Sequence, residues 1–215
     1  MYEPLFHRVQ DLAKLYALIR AHPLGLLVTC GPQGLTANAI PFLLDAGEEK
    51  PGMLRAHMAR ANGQWRDLIE PREALVVFQG VEHYISPSWY ETKRETGKVV
   101  PTWNYVMIQA RGIARAIEDD SWLARQIEDL TRAQEATRAA PWAVGDAPAD
   151  FVAAQRRAIV GVEIEIADLR GKWKTSQNRN AADRAGVIAG LSAEGAEGDE
   201  DARVMASIVA EVGRE

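Results

Sequence analysis

The stretch IVGVEIEI, residues 159–166, decides the fold class because apolar and polar residues alternate along it. A period of two places alternate side chains on opposite faces of a β-strand, so this segment is predicted to be a strand with one buried and one solvated face. The buried set is Val160, Val162, Ile164 and Ile166, and the solvated set is Gly161, Glu163 and Glu165.

On either side of this strand, short apolar runs alternate with segments of helical periodicity. Further strands are predicted over residues 25–30, 35–44, 53–58, 74–79, 82–85 and 103–117, with interruptions at Pro41 and Gly80. Helices are predicted over residues 9–19, 60–69, 119–139 and 180–191, with others from about residue 146 and after residue 201. This order predicts an α+β fold, a mainly antiparallel sheet or barrel with peripheral helices.

The composition is that of a globular protein expected in the cytoplasm. Of the 215 residues, 47% are hydrophobic and 26% are charged. No apolar run is long enough to span a bilayer, and the first residues do not resemble a signal peptide. The single cysteine, Cys30, follows an apolar run and is expected to be a buried strand thiol. The four histidines lack the spacing of a metal site, so no metal is expected.

The charge distribution argues against direct binding to DNA. The net charge is −5, and residues 192–201 hold five acidic residues and no basic one, which leaves the rest of the chain neutral. Affinity for nucleic acid comes largely from Lys and Arg that neutralise phosphates, and no helix-turn-helix with a basic recognition face is recognisable. The acidic stretch also divides the chain into a main domain, residues 1–191, and a linker with a final helix, residues 192–215.

Four segments have compositions typical of a ligand site. In the first, LRAHMARANGQW at residues 54–65, a predicted strand ends in small residues and a helix begins. Exposed amides at that turn, the helix dipole and Arg60 together predict an anion site, because a planar guanidinium can donate two hydrogen bonds to one phosphate. The alternative is a solvated strand-to-helix turn.

The other three segments combine aromatic, polar and basic side chains. YISPSWYETK at residues 84–93 and VPTWNY at residues 100–105 are rich in rings and small hydroxyls, which suits either a pocket for a flat heteroaromatic ligand or ordinary core aromatics. GKWKTSQNR at residues 171–179 surrounds one Trp with three basic residues. It is either a loop that closes over an anionic ligand or a solvated basic loop.

The first 191 residues resemble the PaiB family of FMN-binding negative transcriptional regulators. The resemblance implies a split β-barrel like that of the pyridoxamine-phosphate-oxidase-type flavoproteins. It also implies a homodimer with FMN in the crevice between the subunits. The matching stretches are MYEP at residues 1–4, residues 57–65, FQG at residues 78–80, YISPSWY at residues 84–90, residues 100–105, IVG at residues 159–161 and residues 172–179.

The resemblance also carries FMN contacts onto matching positions. Arg60 is expected to hold the phosphate with backbone amides of residues 58–62, and Lys172 or Lys174 is expected near the flavin ring or phosphate. Ala56, Gly63 and Val81 depart from the family pattern, in which Gly, Pro and Pro are expected. The full set of expected cofactor contacts is His57, Met58, Ala59, Arg60, Asn62, Trp65, Ser86, Ser88, Trp89, Tyr90, Lys93, Thr102, Trp103, Asn104, Lys172, Lys174, Ser176 and Gln177.

Two other functions remain open at this point. A flavin-dependent oxidoreductase that acts on a small substrate would share the fold, which does not separate it from a regulator. A haem-binding split-barrel protein is the third hypothesis, with His7, His22 and His83 as candidate ligands.

Overall fold

The computed structural model describes residues 1–47 and 51–212. The strands of this part of the chain are β1 (Arg8–Val9), β2 (Leu24–Gly31), β3 (Gly34–Asp45), β4 (Met53–Ala59), β5 (Arg72–Ile85), β6 (Thr102–Ile117) and β7 (Ile159–Lys174). Its α-helices are α1 (Leu12–Ala21), α2 (Glu91–Thr96), α3 (Asp120–Glu135), α4 (Ala149–Arg157), α5 (Ala181–Ala196) and α6 (Glu200–Val212). None of the helices in these ranges is long and apolar enough to cross a membrane.

The strands form one sheet in the order β1-β7-β4-β3-β2-β5-β6, and β7 also pairs with β6. Because this last pairing returns to β7, the sheet closes on itself and β1 is added outside the ring. β2 and β3 form an antiparallel hairpin from Leu24↔Pro41 to Gly31↔Gly34. Gly34 has a φ of 97°, which a glycine adopts without the steric cost that other residues incur.

The strand that begins at Ile159 shows how the sequence builds the core. Its apolar set is buried, as the alternation predicts. The opposite face is less solvated than predicted, because Glu163 is also buried. Its carboxylate accepts hydrogen bonds from Arg115 and from the indole nitrogen of Trp122 at 3.2 Å. These two hydrogen bonds offset the free-energy cost of removing the carboxylate from water.

Contacts divide the chain into two compact units. The first comprises Met1–Asp11, Gln79–Ile108 and the chain from Arg170 onward, and the second comprises Leu12–Phe78 and Gln109–Leu169. Residues 192–196, predicted as the start of an acidic linker, continue helix α5.

Several elements differ from the sequence prediction. β5 continues through Gly80 and β3 through Pro41. Residues 86–102 contain the short helix α2 instead of loop alone. β7 runs to Lys174, so the first half of the predicted basic loop is strand. Cys30 is exposed, not buried, because the side chains of β2 alternate and this position belongs to the outer face.

Candidate functional site

The guanidinium of Arg60 lies just beyond the end of β4 and is oriented by three partners. It donates to Glu118 at 2.6 Å and to the main-chain oxygens of Arg157 at 3.3 Å and Ile159 at 3.4 Å. Glu118 lies just before the start of α3, and Arg157 is the last residue of α4. Arg60 therefore binds both ends of the chain segment that contains these two helices. The side chain is thereby fixed in direction while 40% of it stays exposed.

A second arginine, Arg66, lies near Arg60, and both contact the ring of Trp65. The indole nitrogen of Trp65 donates to the main-chain oxygen of Arg60 at 3.0 Å. The guanidinium carbons of Arg60 and Arg66 lie 5.7 and 5.2 Å from the centroid of its ring. Arg66 has no ion pair within residues 1–47 and 51–212. The two guanidinium groups therefore lie over one indole ring, and of the two only Arg60 is paired with a carboxylate, that of Glu118. Sequence reasoning missed Arg66, whose only signal was its place next to Trp65.

Two main-chain amides of this turn, which the sequence predicts as part of an anion site, already donate to other main-chain oxygens. The amide of Arg60 donates to Ala158 at 2.8 Å, and the amide of Asn62 donates to Ala59 at 2.9 Å. The side chain of Asn62 caps the following helix, Gly63–Leu68, which is a 3₁₀ helix and not the predicted α-helix. These two amides are therefore not free for an anion, and the guanidinium groups are the charged donors at this place.

His57, Met58 and Ala59 occupy the last positions of β4. Met58 is buried in the core, whereas His57 lies on the other face, opposite Gly161 of β7. The ring of Trp122 takes the space that a side chain at Gly161 would need. Nδ1 of His57 is buried with no hydrogen-bond partner in the described part of the chain, and this burial lowers the pKa of its imidazole. The side chain is therefore neutral at pH 7.

In the first unit, the predicted aromatic segment uses its polar groups internally. Ser86 accepts a hydrogen bond from the amide of Ser88 at 3.2 Å, and Lys93 donates to the Ser88 hydroxyl at 3.3 Å. Trp89 packs against α5, where a Cβ added at Gly190 would come within 2.3 Å of its indole. This segment therefore anchors a helix, which sequence reasoning did not anticipate.

Two lysines at the end of β7 share an aromatic ring. Nζ of Lys172 lies 5.1 Å from the ring centroid of Tyr105 and 5.4 Å from that of Tyr2, and Nζ of Lys174 lies 5.9 Å from Tyr105. Lys172 is buried although it is charged. The faces of aromatic rings attract cations, which offsets part of the cost of that burial.

Lys174 is the more strongly constrained of the two. Its ammonium donates to the hydroxyl of Thr102 and to the main-chain oxygen of Trp103. Burial lowers the pKa of Lys174, and the positive charges of Lys172 and Arg179 lower it further. Trp103 itself is half exposed and meets Tyr84 edge to face, with 5.9 Å between the ring centroids.

A polar cavity of about 50 Å³ adjoins this lysine. In its wall, the amide of Asn104 donates to the hydroxyl of Ser176 at 3.0 Å. The guanidinium of Arg179 lies 4.4 Å from the ring centroid of Tyr90, which is itself buried. The lining residues are Thr102, Asn104, Lys174, Ser176, Asn178 and Arg179. Sequence reasoning included four of these and missed Asn178 and Arg179.

Gln177 organises the loop after β7. Its side-chain oxygen accepts from the amide of Thr175 at 2.8 Å and from Nδ1 of His7 at 2.9 Å, and its side-chain nitrogen donates to the main-chain oxygen of Trp173. Burial is the main reason that the pKa of His7 is lowered. The side-chain amide of Gln177 is thus occupied by three protein partners. Its expected role as a direct flavin contact stays a prediction.

The other histidines considered as haem ligands also have partners or lie at the surface. Nε2 of His83 faces carboxylate oxygens of Glu194 at 3.2 Å and Asp199 at 3.5 Å. His22 is exposed at the end of α1. The described ranges contain no group of three or more His, Cys, Asp or Glu side chains arranged to hold a metal ion.

Comparison with known sequences places these residues in context. A model of the family described as "Putative FMN-binding domain" matches residues 1–168, which include Arg60 and Trp65 and end before Lys172. Uncharacterized protein AN0679 of Emericella nidulans is 38% identical over 99% of this chain and 98% of its own. Protease synthase and sporulation protein PAI 2 of Bacillus subtilis is 29% identical over 90% of each chain. The resemblance to the PaiB family is thereby confirmed.

Solved structures with the same fold have low sequence identity to this chain. The FAD and heme binding protein from Mycobacterium smegmatis gives a TM-score of 0.57 at 16% identity, over 78% of this chain and 73% of that one. The flavocytochrome Anf3 from Azotobacter vinelandii gives a TM-score of 0.56 at 14% identity, over 79% and 70%. At such identities the likeness establishes the fold alone, and it confirms the expected split β-barrel.

Proposed function

Because the chain belongs to the family of putative FMN-binding domains, we propose that it binds FMN and that Arg60 holds the phosphate of the nucleotide. The observation that carries this assignment is the positive charge around Trp65, where the guanidinium groups of Arg60 and Arg66 both lie over the indole ring and only Arg60 forms an ion pair, with Glu118. A phosphate suits such a place because a planar guanidinium can donate two charge-assisted hydrogen bonds to it.

The arrangement around Arg60 fits an exchange of Glu118 for phosphate. The Glu118 side chain is 59% exposed, and exposed ion pairs contribute little to stability because water and salt screen them. The bonds from Arg60 to two main-chain oxygens keep the guanidinium oriented during the exchange. A bound flavin supplies a ring that takes up and releases electrons, and the contribution of Arg60 is to select the phosphorylated form.

The test compares FMN with riboflavin, which lacks the phosphate. Arg60→Ala should weaken FMN binding by about 10- to 100-fold, because hydrogen bonds between charged groups contribute roughly 1.5–3 kcal/mol, and should leave riboflavin unchanged. Arg60→Lys keeps the charge but loses the planar fork, so an intermediate loss is expected. If FMN and riboflavin weaken equally, Arg60 does not contact the phosphate.

We also propose that the protein is a homodimer, supported by the outer face of the β2–β3 hairpin. Exposed apolar sheet faces of this length are typical of interfaces. Leu24 and Leu35 are 62% and 79% exposed, and the face includes the only cysteine of the chain. By the strand register the face consists of Leu24, Leu26, Val28, Cys30, Leu35, Ala37, Ala39 and Pro41.

The thiol of Cys30 reports whether this face is covered. In the proposed dimer, a thiol reagent should label Cys30 slowly, and light scattering should give twice the chain mass of 23.7 kDa. Ala37→Glu places a charge on the same face and should produce a monomer with a fast-reacting Cys30. A wild-type monomer with a fully reactive thiol would contradict the proposal.

The regulatory role implied by the resemblance is proposed to be indirect, through the flavin or a protein partner. Supporting this, the net charge of −5 and the neutral body offer little attraction to DNA phosphates. A mobility shift at physiological salt should show no tight complex of the protein alone with promoter or random DNA. Bleaching of the flavin bands by NAD(P)H would instead identify the alternative, an oxidoreductase.

A further inference from the structure

The small cavity beside Lys174 has no role in the FMN contacts proposed above. Its volume is about 50 Å³, and its wall carries two cationic and four neutral polar side chains but no carboxylate. The neutral ones are the hydroxyls of Thr102 and Ser176 and the amides of Asn104 and Asn178. Hydroxyls and amides donate hydrogen bonds, and the cations supply charge, so the set matches the needs of an oxyanion.

The cations around this cavity have no counter-ion in the part of the chain that the structure describes. Lys174 and Arg179 line the cavity, and Lys172 lies against the same Tyr105 ring as Lys174. None of the three forms an ion pair with an Asp or Glu within residues 1–47 and 51–212. Half-buried like charges repel one another strongly. A bound anion would offset this repulsion.

The donors are held in place by the protein itself. Two of the three N–H groups of the Lys174 ammonium are used by Thr102 and Trp103, which leaves a third for a ligand. Ser176 is the only non-glycine residue with a positive φ, 65°, in the described ranges, and its hydroxyl is paired with Asn104. A strained backbone conformation in a cavity wall is typical of a binding site.

We propose that this cavity binds a single oxyanion group, a phosphate or a carboxylate, carried by a small ligand. A volume of about 50 Å³ accommodates such a group, whereas sites that enclose a whole drug-sized molecule occupy roughly 300 Å³ or more. The flavin ring therefore lies outside the cavity. The oxyanion has two sources, the phosphate of FMN itself or a separate small anion such as a substrate.

The direct experiment titrates the flavin-free full chain with inorganic phosphate and follows the heat of binding. Saturable binding is expected, and Lys174→Met and Arg179→Gln should each weaken it about tenfold or more. Lys98→Met removes the same charge from an exposed position of the same unit and should bind like the wild type. Lys174→Met removes a partly buried cation without a counter-ion but also loses the hydrogen bonds to Thr102 and Trp103, so its melting temperature is measured alongside, and Arg179→Gln provides the independent test if that temperature falls.

The same variants separate the two sources of the oxyanion. If the FMN phosphate occupies the cavity, inorganic phosphate competes with FMN, and Lys174→Met weakens FMN but not riboflavin. If a separate anion occupies it, FMN affinity is unchanged in Lys174→Met, and phosphate still binds to the FMN-loaded protein. Both results support an oxyanion site; the first would contradict the assignment of the FMN phosphate to Arg60, whereas the second is compatible with it. No phosphate binding, or equal binding by wild type, Lys174→Met and Arg179→Gln, overturns the proposal.

Discussion

Replacing Glu118 by Gln should make the protein bind FMN more tightly. Nη1 of Arg60 is paired with Oε2 of Glu118 at 2.6 Å, and this is the guanidinium to which the phosphate is proposed to bind. The phosphate must displace the Glu118 carboxylate, and it is also repelled by the negative charge of that carboxylate. Removing that charge therefore favours the bound state, whereas a role of Glu118 as a flavin contact would give the opposite sign.

The size of the gain follows from the exposure of the pair. The two side chains are 40% and 59% exposed, and ion pairs of this kind contribute about 0.2–1 kcal/mol. Losing the competitor should therefore raise FMN affinity roughly 1.4- to 5-fold. The gain should shrink at high salt, because salt screens exposed charges. Riboflavin has no phosphate to place there, so its affinity should not change.

Quenching of flavin fluorescence during titration of the flavin-free protein measures both affinities. Glu128→Gln is the matched control, because this exposed glutamate lies on α3 and pairs with Arg132 instead of Arg60. It should leave both affinities at the wild-type values. Weaker FMN binding by Glu118→Gln, or an equal gain for riboflavin, would refute the exchange of Glu118 for phosphate.

Two further predictions concern stability. Burial lowers the pKa of His57 below its ordinary value of 6.5, so the unfolded state takes up a proton first, and the free energy of unfolding should fall as pH drops below about 6.5. His57→Gln should flatten this dependence of the melting temperature on pH, and His22→Gln, at an exposed position, should not. Gly190→Ala should lower the free energy of unfolding by about 1–3 kcal/mol in denaturant unfolding, because the added Cβ would meet the ring of Trp89. The sign is opposite to the usual effect of this substitution, since Ala normally stabilises a helix relative to Gly. Gly145→Ala, with open space around it, is the control, and stabilisation by Gly190→Ala would contradict the packing.

Much of the barrel could be predicted from sequence because its strands carry a local signal. Alternation along residues 159–166 indicates a strand with one buried face, and the structure buries its apolar set. The same signal says nothing about what covers the other face. Trp122 reaches Glu163 and occupies the space above Gly161. A contact of that kind depends on the path of a distant helix, so the prediction of a solvated face is wrong at Gly161 and Glu163, whereas Glu165 is exposed as predicted.

The candidate sites show the same limit. Lys174 meets Thr102 across 72 residues of sequence, and Arg60 meets Glu118 across 58. Composition identified Arg60, Lys174 and Thr102, because basic and hydroxyl side chains stand out in short motifs. It did not identify Glu118, since a surface glutamate has no distinctive context until the fold brings it to a partner, and it placed Arg179 in the basic segment 171–179 without assigning it a contact.

The sequence also assigned Trp89 to the flavin pocket on the strength of its aromatic neighbours. The structure seats its ring on α5, where Gly190 leaves room for it, and a flavin contact of Trp89 stays a prediction. A tryptophan that packs on a helix and one that lines a pocket have the same local sequence signal. Only the position of the glycine, about a hundred residues later, separates the two, and no local rule connects them.

Calorimetric titration of the flavin-free wild-type protein with FMN and, separately, with riboflavin tests the central claim most directly. If the chain binds FMN through its phosphate, FMN should bind at one site per chain and at least about tenfold more tightly than riboflavin, as a charge-assisted contact to the phosphate requires. Absence of FMN binding, or equal affinity for FMN and riboflavin, would contradict the claim.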